Sequence, residues 1–425
     1  MKKIAFVDLL FHWPAGGGSW NDLFQIASGM QERGFEVKLF VPDFDLYFPR
    51  GVIKSELPFE VCRIPFNKLT FNFVNVPRKF KKAIDKFKPD YVFFGDGYFL
   101  KPYVSKALKD YPQIFRFYSY EIICSNNKLF FADSEICSNN IFDDSVKCQK
   151  CRFGNISLLK EFAKIIINWK INAYPFSRIM FHFTQEYLFS VAFLNYYRYV
   201  VSESIKGVSR IVVYNDYVKD VVTKLNKQVE IIPSGVNTEK FVPLEKKRDN
   251  SIKKILMAGR VAEYAKGLTI LENAFKLLLS KRNDIMLMLT VDDYFKPYEN
   301  RFQGEYFKLI KWVDQDNLPA IYNEADIVVV PSLWMEPFGI VAVEAMACGL
   351  PVIASAVGGL QKIVIDGETG FLVTPGDEKA LMDKIELLLD SPDLRESMGK
   401  KGRKLAESLY SWDKIIDKYY VPLFS

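Results

Sequence analysis

Two glutamates eight positions apart, Glu336 and Glu344, bracket the turn Pro337-Phe338-Gly339 and the run Ile340-Val341-Ala342-Val343. The pattern predicts a backbone turn at Gly339 that opens a short helix, closed by Gly349 and Pro351. The first turn of a helix carries unpaired N–H groups and the positive end of its dipole, and together these attract a phosphate. Glu336 and Glu344 then place acceptors on either side of that anion, where hydroxyls of two sugars fit. A fully helical span would separate the two positions by about 12 Å, at about 1.5 Å per residue. Glycosidase carboxyls stand about 5–9.5 Å apart, so the spacing suits two binding contacts better than a hydrolytic pair.

Gly259-Arg260 and Lys266-Gly267 follow the apolar run 253–258. Both cations thus fall just past the end of a predicted buried strand, where a diphosphate would lie. Arginine offers a fork to phosphate oxygens and lysine a mobile point charge. The loop Gly16-Gly17-Gly18-Ser19 follows the first predicted strand. Its glycines let backbone N–H groups face an anion or a sugar. It is not the GxGxxG pattern, so a nicotinamide or flavin reading lacks its main support.

A separate constellation is Cys124, Cys137, Cys148 and Cys151, in a polar segment that ends Cys-Gln-Lys-Cys. Four thiolates at such spacing suit a structural zinc. The longer gaps are less regular than a zinc ribbon's, so reduced thiols and disulfides stay open as readings. Cys62 and Cys348 read as ordinary buried residues.

The elements that must position these groups alternate between strand-like and helix-like runs, which argues for α/β architecture with parallel sheets. A chain of 425 residues is too long for one ordinary core. The expected division is an N-terminal Rossmann-like domain over 1–205, a C-terminal one over 206–405 and a last helix over 406–425. Strands are expected at IAFVDLLF, VKLFVPD, YVFFGDG and IFRFYSYE in the first domain. RIVVYND and VEIIPSGV open the second, followed by strands through KKILMA, IMLMLTV, ADIVVVPS and PVIASAVGG. A helix is expected from about Asn21 to Arg33, a hairpin over IVIDGETGFLV and a helix capped by Asp377. Residues 124–151 form a Cys-rich loop, and 156–200 an aromatic, basic stretch read as buried helices or as a surface resting on a membrane.

The net charge of +6 fits a protein that handles anionic ligands or touches an anionic membrane. No arginine-rich run stands out, which argues against nucleic acid as a partner. The start, MKKIAFVDLLF, is interrupted by Asp8 and reads as a buried strand rather than a signal peptide. No run has the apolar length of a membrane span, and the expected location is cytoplasmic, with association at the inner membrane face left open.

The glycine loop, the Gly259-Arg260 and Lys266-Gly267 pairs and the E-x7-E block, in this order, resemble family 4 retaining glycosyltransferases over nearly the whole chain. IPSGVN at 232–237, Pro331-Ser332 and GETGFLV are further matches. The resemblance implies a GT-B fold, two Rossmann-like domains facing a cleft, with the last helix crossing back to the first domain. It implies transfer of a sugar from a nucleoside-diphosphate sugar, UDP ahead of GDP, with retention of configuration and no catalytic metal. The acceptor would be a glycan, a lipid-linked sugar or another glycoconjugate, as in cell-surface polysaccharide biosynthesis. Carried over by position, Glu336 would accept from donor-sugar hydroxyls and Glu344 from the ribose. Backbone N–H groups at Phe338, Gly339, Ile340 and Val341 would hold the sugar and distal phosphate. Arg260 and Lys266 would stabilise the departing diphosphate, and Gly17 and Gly18 would close the site. Many members carry a histidine where this chain reads Phe117-Tyr118-Ser119-Tyr120-Glu121. That departure leaves His12, Tyr118 and Glu121 as candidates for the acceptor side. An epimerase or phosphorylase of the same fold, or a nucleotide-sugar-binding subunit without turnover, are the alternatives.

Overall fold

The computed structural model describes residues 1–44, 50–67, 70–124, 127, 129–131, 135–153, 194–244 and 252–424. Most of the aromatic, basic stretch 156–200 therefore lies outside the described residues. The chain divides into two compact units. One comprises Met1–Ala132, Cys137–Ile232 and Leu423–Ser425, and the other Asp133–Ile136 and Pro233–Pro422.

The first unit contains β1 (Lys3–Val7), α1 (Gly18–Glu32), β2 (Glu36–Asp43), β3 (Glu60–Pro65), α2 (Asn75–Phe87), β4 (Tyr91–Phe94), α3 (Lys101–Ala107), β5 (Gln113–Arg116), α4 (Ser145–Phe153), α5 (Leu194–Gly207), β6 (Arg210–Val213), α6 (Asp216–Thr223) and β7 (Val229–Ile231). Its strands form one seven-stranded sheet in the order β3-β2-β1-β4-β5-β6-β7. Every neighbouring pair is parallel. A parallel sheet covered on both faces needs strands apolar on both faces, and Ile4, Ala5, Phe6, Phe93 and Phe115 are fully buried.

The second unit contains β8 (Lys253–Met257), α7 (Leu268–Leu279), β9 (Ile285–Val291), β10 (Phe307–Lys311), α8 (Leu318–Glu324), β11 (Ile327–Val330), α9 (Ile340–Ala347), β12 (Val352–Ser355), α10 (Leu360–Ile363), β13 (Gly370–Val373), α11 (Glu378–Asp390) and α12 (Pro392–Leu409). These strands form one six-stranded sheet in the order β10-β9-β8-β11-β12-β13, again all parallel. Leu271, Phe275 and Leu278 of α7 and Leu381, Ile385 and Leu388 of α11 fill the core on one face of this sheet. Asp377 caps α11 as expected, accepting from the Ala380 N–H at 2.8 Å.

Four local expectations change. Arg210–Val213 and Val229–Ile231, read as the opening of the second domain, complete the first sheet, so the first unit runs to Ile232 rather than 205. A short buried parallel strand has the same apolar signature in either sheet. Helix α1 starts at Gly18 rather than near Asn21, with Gly17 as its N-cap. The hairpin over IVIDGETGFLV does not form: Leu360–Ile363 is helical, and Gly370–Val373 pairs parallel with β12. The tail is helical over Trp412–Ile415, then winds through one π-helical turn at Ile416–Tyr420.

Candidate functional site

In the second unit the winding direction reverses between β8 and β11, which opens a crevice outside their carboxyl ends. The chain leaving β8 carries Gly259, Arg260 and Lys266, and the chain leaving β11 carries Ser332, Trp334 and Glu336. The two segments are joined by backbone, with the Leu333 N–H donating to the Ala265 carbonyl at 2.8 Å. The fold thus brings together residues about 70 positions apart in sequence.

At the centre stands Glu336. Lys266 Nζ lies 3.1 Å from each of its carboxylate oxygens. Ser332 Oγ donates to Oε2 at 3.0 Å and Trp334 Nε1 donates to the same oxygen at 2.7 Å. The Lys266 ammonium also lies 4.8 Å from the centroid of the Trp334 ring. Glu336 is buried, so these donors fix the carboxylate in one orientation. Behind it, the Gly359 N–H donates to the Glu336 carbonyl at 2.7 Å. A Cβ at Gly358 would collide with that same carbonyl, so the loop after β12 clamps the turn that carries Glu336.

Gly339, at φ +111°, is the N-cap of α9, and no side chain caps the first turn of that helix. The first N–H groups of a helix have no intrahelical partner, so Ile340 and Val341 present donors at the crevice. The Phe338 ring is buried 5.9 Å from Tyr410, which leaves its backbone as the part that can meet a ligand. Glu344 lies inside α9 and is buried. Tyr322 of α8 donates its hydroxyl to Glu344 Oε2 at 2.7 Å. Burial pushes the Glu344 carboxyl up to about 7, against the lowering by hydrogen bonds from Tyr322 and Gln315. Arg260 is more open: its Nη1 lies 3.2 Å from Glu263 Oε1, but its side chain is 59% exposed, so the guanidinium can meet an anion. The Gly259 N–H donates to Thr290 Oγ1 at 2.8 Å, which anchors the turn from which Arg260 projects.

The first unit has its own reversal, between β1 and β4. Asp8 follows β1 and Asp96 follows β4. Asp8 accepts from the Leu10 N–H at 2.9 Å and the Asp96 N–H at 2.7 Å. Lys101 Nζ, fully buried, donates to Glu121 Oε1 and to the Arg116 carbonyl, each at 2.7 Å. Burial pushes the Asp8 carboxyl up to about 7. Burial, the facing Glu121 and Asp8 carboxyls and a hydrogen bond with Glu121 hold Asp96 well above the usual carboxylate range.

Glu121 is therefore locked in a buried network. Tyr118, also buried, stands 6.3 Å from Tyr214. Arg116 lies 3.9 Å from the Tyr214 ring centroid and donates to the Ile232 carbonyl at 2.8 Å. His12 rests on Trp20 with centroids 3.8 Å apart. Burial, then the Lys54 ammonium, lowers its pKa. Gly17 and Gly18 lead directly into α1.

Glu336, Lys266, Arg260, Gly339 and Glu344 thus all belong to the crevice of the second unit. Gly17, Gly18, His12, Tyr118 and Glu121 belong to the first. The sequence reading did not single out Trp334, Tyr322, Asp96 or Lys101. Trp334 stood inside the conspicuous block, and nothing in the sequence KPYVSKA marked Lys101.

Residues 239–405 match the family model described as Glycosyl transferases group 1. A D-inositol 3-phosphate glycosyltransferase of Paenarthrobacter aurescens (strain TC1) is 31% identical over 209 residues, which covers 44% of this chain and 49% of that protein. The chain spans about half to under two thirds of the length of the first curated relatives it matches. Among solved structures, sucrose-phosphate synthase from Thermosynechococcus elongatus superposes with a TM-score of 0.70 at 23% identity, covering 100% of this chain and 99% of that one. Anabaena HepE in complex with UDP-glucose gives 0.66 at 16% identity, with 100% and 99% covered. The fold is GT-B, two Rossmann-like units each built on a parallel sheet.

Proposed function

We propose that the chain is a retaining glycosyltransferase similar to family 4. It takes a sugar from a nucleoside-diphosphate sugar, UDP ahead of GDP, to a glycan, lipid-linked or other glycoconjugate acceptor in cell-surface polysaccharide biosynthesis. The observation that carries this reading is the Lys266–Glu336 pair, 3.1 Å apart, beside the uncapped first turn of α9. Support comes from the match of residues 239–405 to glycosyl transferases group 1 and from the likeness to a chain solved with UDP-glucose.

Breaking the anomeric bond leaves positive charge on the sugar and negative charge on the departing diphosphate. Lys266, Arg260 and the N–H groups of Gly339, Ile340 and Val341 are cations and donors fixed where that negative charge develops. Glu336, already held by its neighbours, accepts from hydroxyls of the sugar, and Glu344 from the ribose. The acceptor oxygen forms the new bond, and its proton passes to a phosphate oxygen of the leaving group, so no protein base and no catalytic metal is required. Glycines 17 and 18 enter this reading through the resemblance. On the acceptor side, Glu121 serves by holding Lys101 rather than by touching substrate, and His12 and Tyr118 stay as candidates.

The test is a thermal-shift screen with UDP-, GDP-, ADP- and dTDP-sugars on the wild type, Glu344→Ala and Arg260→Ala. One nucleotide class should stabilise the wild type by several degrees, with the shift lost in both variants. The ionised form of Glu344 accepts two ribose hydroxyls, and burial pushes its carboxyl up to about 7. The nucleotide shift should therefore grow from pH 6 to pH 8, and Glu344→Gln should abolish that growth. A folded protein that no nucleotide stabilises would refute the assignment, and binding without transfer to any acceptor would favour a subunit without turnover.

The same reading includes contact with an anionic membrane at the inner face. Among the described residues no helix is long and apolar enough to cross a membrane. Tyr196 and Tyr199 of α5, at the end of the aromatic and basic stretch, are exposed, and the Lys106 ammonium lies 6.0 Å from the Tyr199 ring centroid. The protein should float with anionic vesicles at low salt; failure to float would remove the membrane from the proposal.

A further inference from the structure

The four cysteines of the first unit take no part in the proposed transfer, yet the fold gathers them. Cys124 closes a turn after β5, its N–H donating to the Tyr120 carbonyl at 2.8 Å. Cys137 is held by its N–H on the Leu129 carbonyl, also at 2.8 Å. Cys148 and Cys151 lie three positions apart on α4, hence on one face of that helix. Cys124 and Cys148 are buried and Cys137 and Cys151 half-buried. The Cys148 sulfur lies near enough to those of Cys124, Cys137 and Cys151 to interact with them electrostatically.

A second observation concerns what surrounds the sulfurs. The Asn139 backbone N–H donates to Cys137 Sγ at 3.4 Å. The side-chain amide of the same residue donates to Cys148 Sγ at 3.1 Å. One asparagine thus aims two N–H donors at two of the four sulfurs. Ligating groups in metal sites take such second hydrogen bonds from their surroundings, which orient them. The asparagine is itself held, because Tyr217 of α6 donates its hydroxyl to the Ser138 carbonyl at 2.9 Å and to the Asn139 carbonyl at 3.3 Å.

We propose that Cys124, Cys137, Cys148 and Cys151 form a structural zinc site that fastens the segment after β5 to α4. Four sulfurs select a soft, tetrahedral ion over magnesium or calcium, and a closed set of four leaves no open position for catalysis. Among the described residues no group of three or more His, Cys, Asp or Glu side chains is already arranged to hold a metal. Binding therefore draws the sulfurs inward to the ~2.3 Å of a Zn–S bond and deprotonates them as it does so. The segment so tied follows Tyr118 and Glu121, so the ion's role is to set the shape of the acceptor side. The inference stands independently of the donor assignment.

Full-length protein purified under reducing conditions without added metal should contain about one zinc per chain by elemental analysis. An organomercurial should release that zinc in step with modification of the thiols. Exchange with cobalt(II) should give the visible spectrum of a tetrahedral thiolate complex. Cys148→Ser should lose the metal, Cys62→Ser should keep it, and Cys151→Ser, at a less buried position, should bind at least tenfold more weakly while the chain stays folded. A folded wild type with less than about a tenth of an equivalent of zinc and no cobalt spectrum would overturn the proposal. So would a mass four hydrogens short, which marks two disulfides in place of four ligands.

Discussion

Lys266→Ala should lower kcat/KM for sugar transfer by about 10²–10³-fold, chiefly through kcat, in a chain that still folds. Two effects act in the same direction. The ammonium stands 3.1 Å from both oxygens of Glu336, and in the proposed transfer it would stabilise the further negative charge that the diphosphate gains on leaving. Without it, the Glu336 carboxylate is left with the neutral donors Ser332 and Trp334, and its negative charge faces the charge forming on the phosphate. Glu336→Gln keeps a side chain that Ser332 and Trp334 can hold but removes the partner of Lys266. If the two residues act as a unit, the double variant should lose far less than the product of the two single losses. Steady-state kinetics on the three variants, with far-UV circular dichroism to confirm folding, decides it. Fully multiplicative losses, or a Lys266→Ala effect below threefold, would show that the pair is not the catalytic element.

The largest effect on stability is expected at Gly267. This residue has φ +79°, and a Cβ there would run into the carbonyl oxygen of Pro331. That oxygen belongs to backbone, which cannot swing away as a side chain would. Gly367 makes an internal control: its φ is +74°, and a Cβ there meets nothing within 4 Å. Gly367→Ala should cost only the backbone strain, about 1 kcal/mol, or a fall of about 2–4 °C in the Tm of a unit of this size. Gly267→Ala carries the same strain plus separation of the β8 and β11 segments, and should cost roughly 3–5 kcal/mol. Thermal melts followed by circular dichroism compare the two. Equal losses would mean that the close approach at Pro331 does not hold the crevice together.

Most of the crevice was legible because its parts are contiguous. The turn at Gly339, the helix after it and the positions of Glu336 and Glu344 all lie within twelve residues, Glu336 to Ala347, and local chemistry dictates their form. The partners were legible only as types. That Lys266 and Arg260 follow a strand could be read, but the 3.1 Å pairing of Lys266 with Glu336 depends on which strands are neighbours. Tyr322 reaches Glu344 from a separate helix, and no periodicity announces that. The buried charges of the first unit were hidden for another reason. Asp8 was visible as an interruption of a strand, yet its backbone donors and its proximity to Asp96 and Glu121 come from the turns after three strands. The expected hairpin failed because glycine-rich turn residues signal a reversal but do not choose the partner of the next strand. Gly370–Val373 gained more by lying parallel along buried β12 than by folding back.

The order of strands in the first sheet has a consequence for synthesis. Strand β5 finds its outer neighbour only in β6, where Arg116 pairs with Val212, about a hundred residues further along. At roughly 5–20 residues per second, a ribosome needs roughly 5–20 s to deliver it. For that interval β5 is an open edge, its free backbone N–H and C=O groups able to recruit any passing strand. The seven-stranded sheet is thus completed late, by the stretch of chain that follows the cysteines and the aromatic segment. How long the nascent chain waits is set by the length of the chain between β5 and β6.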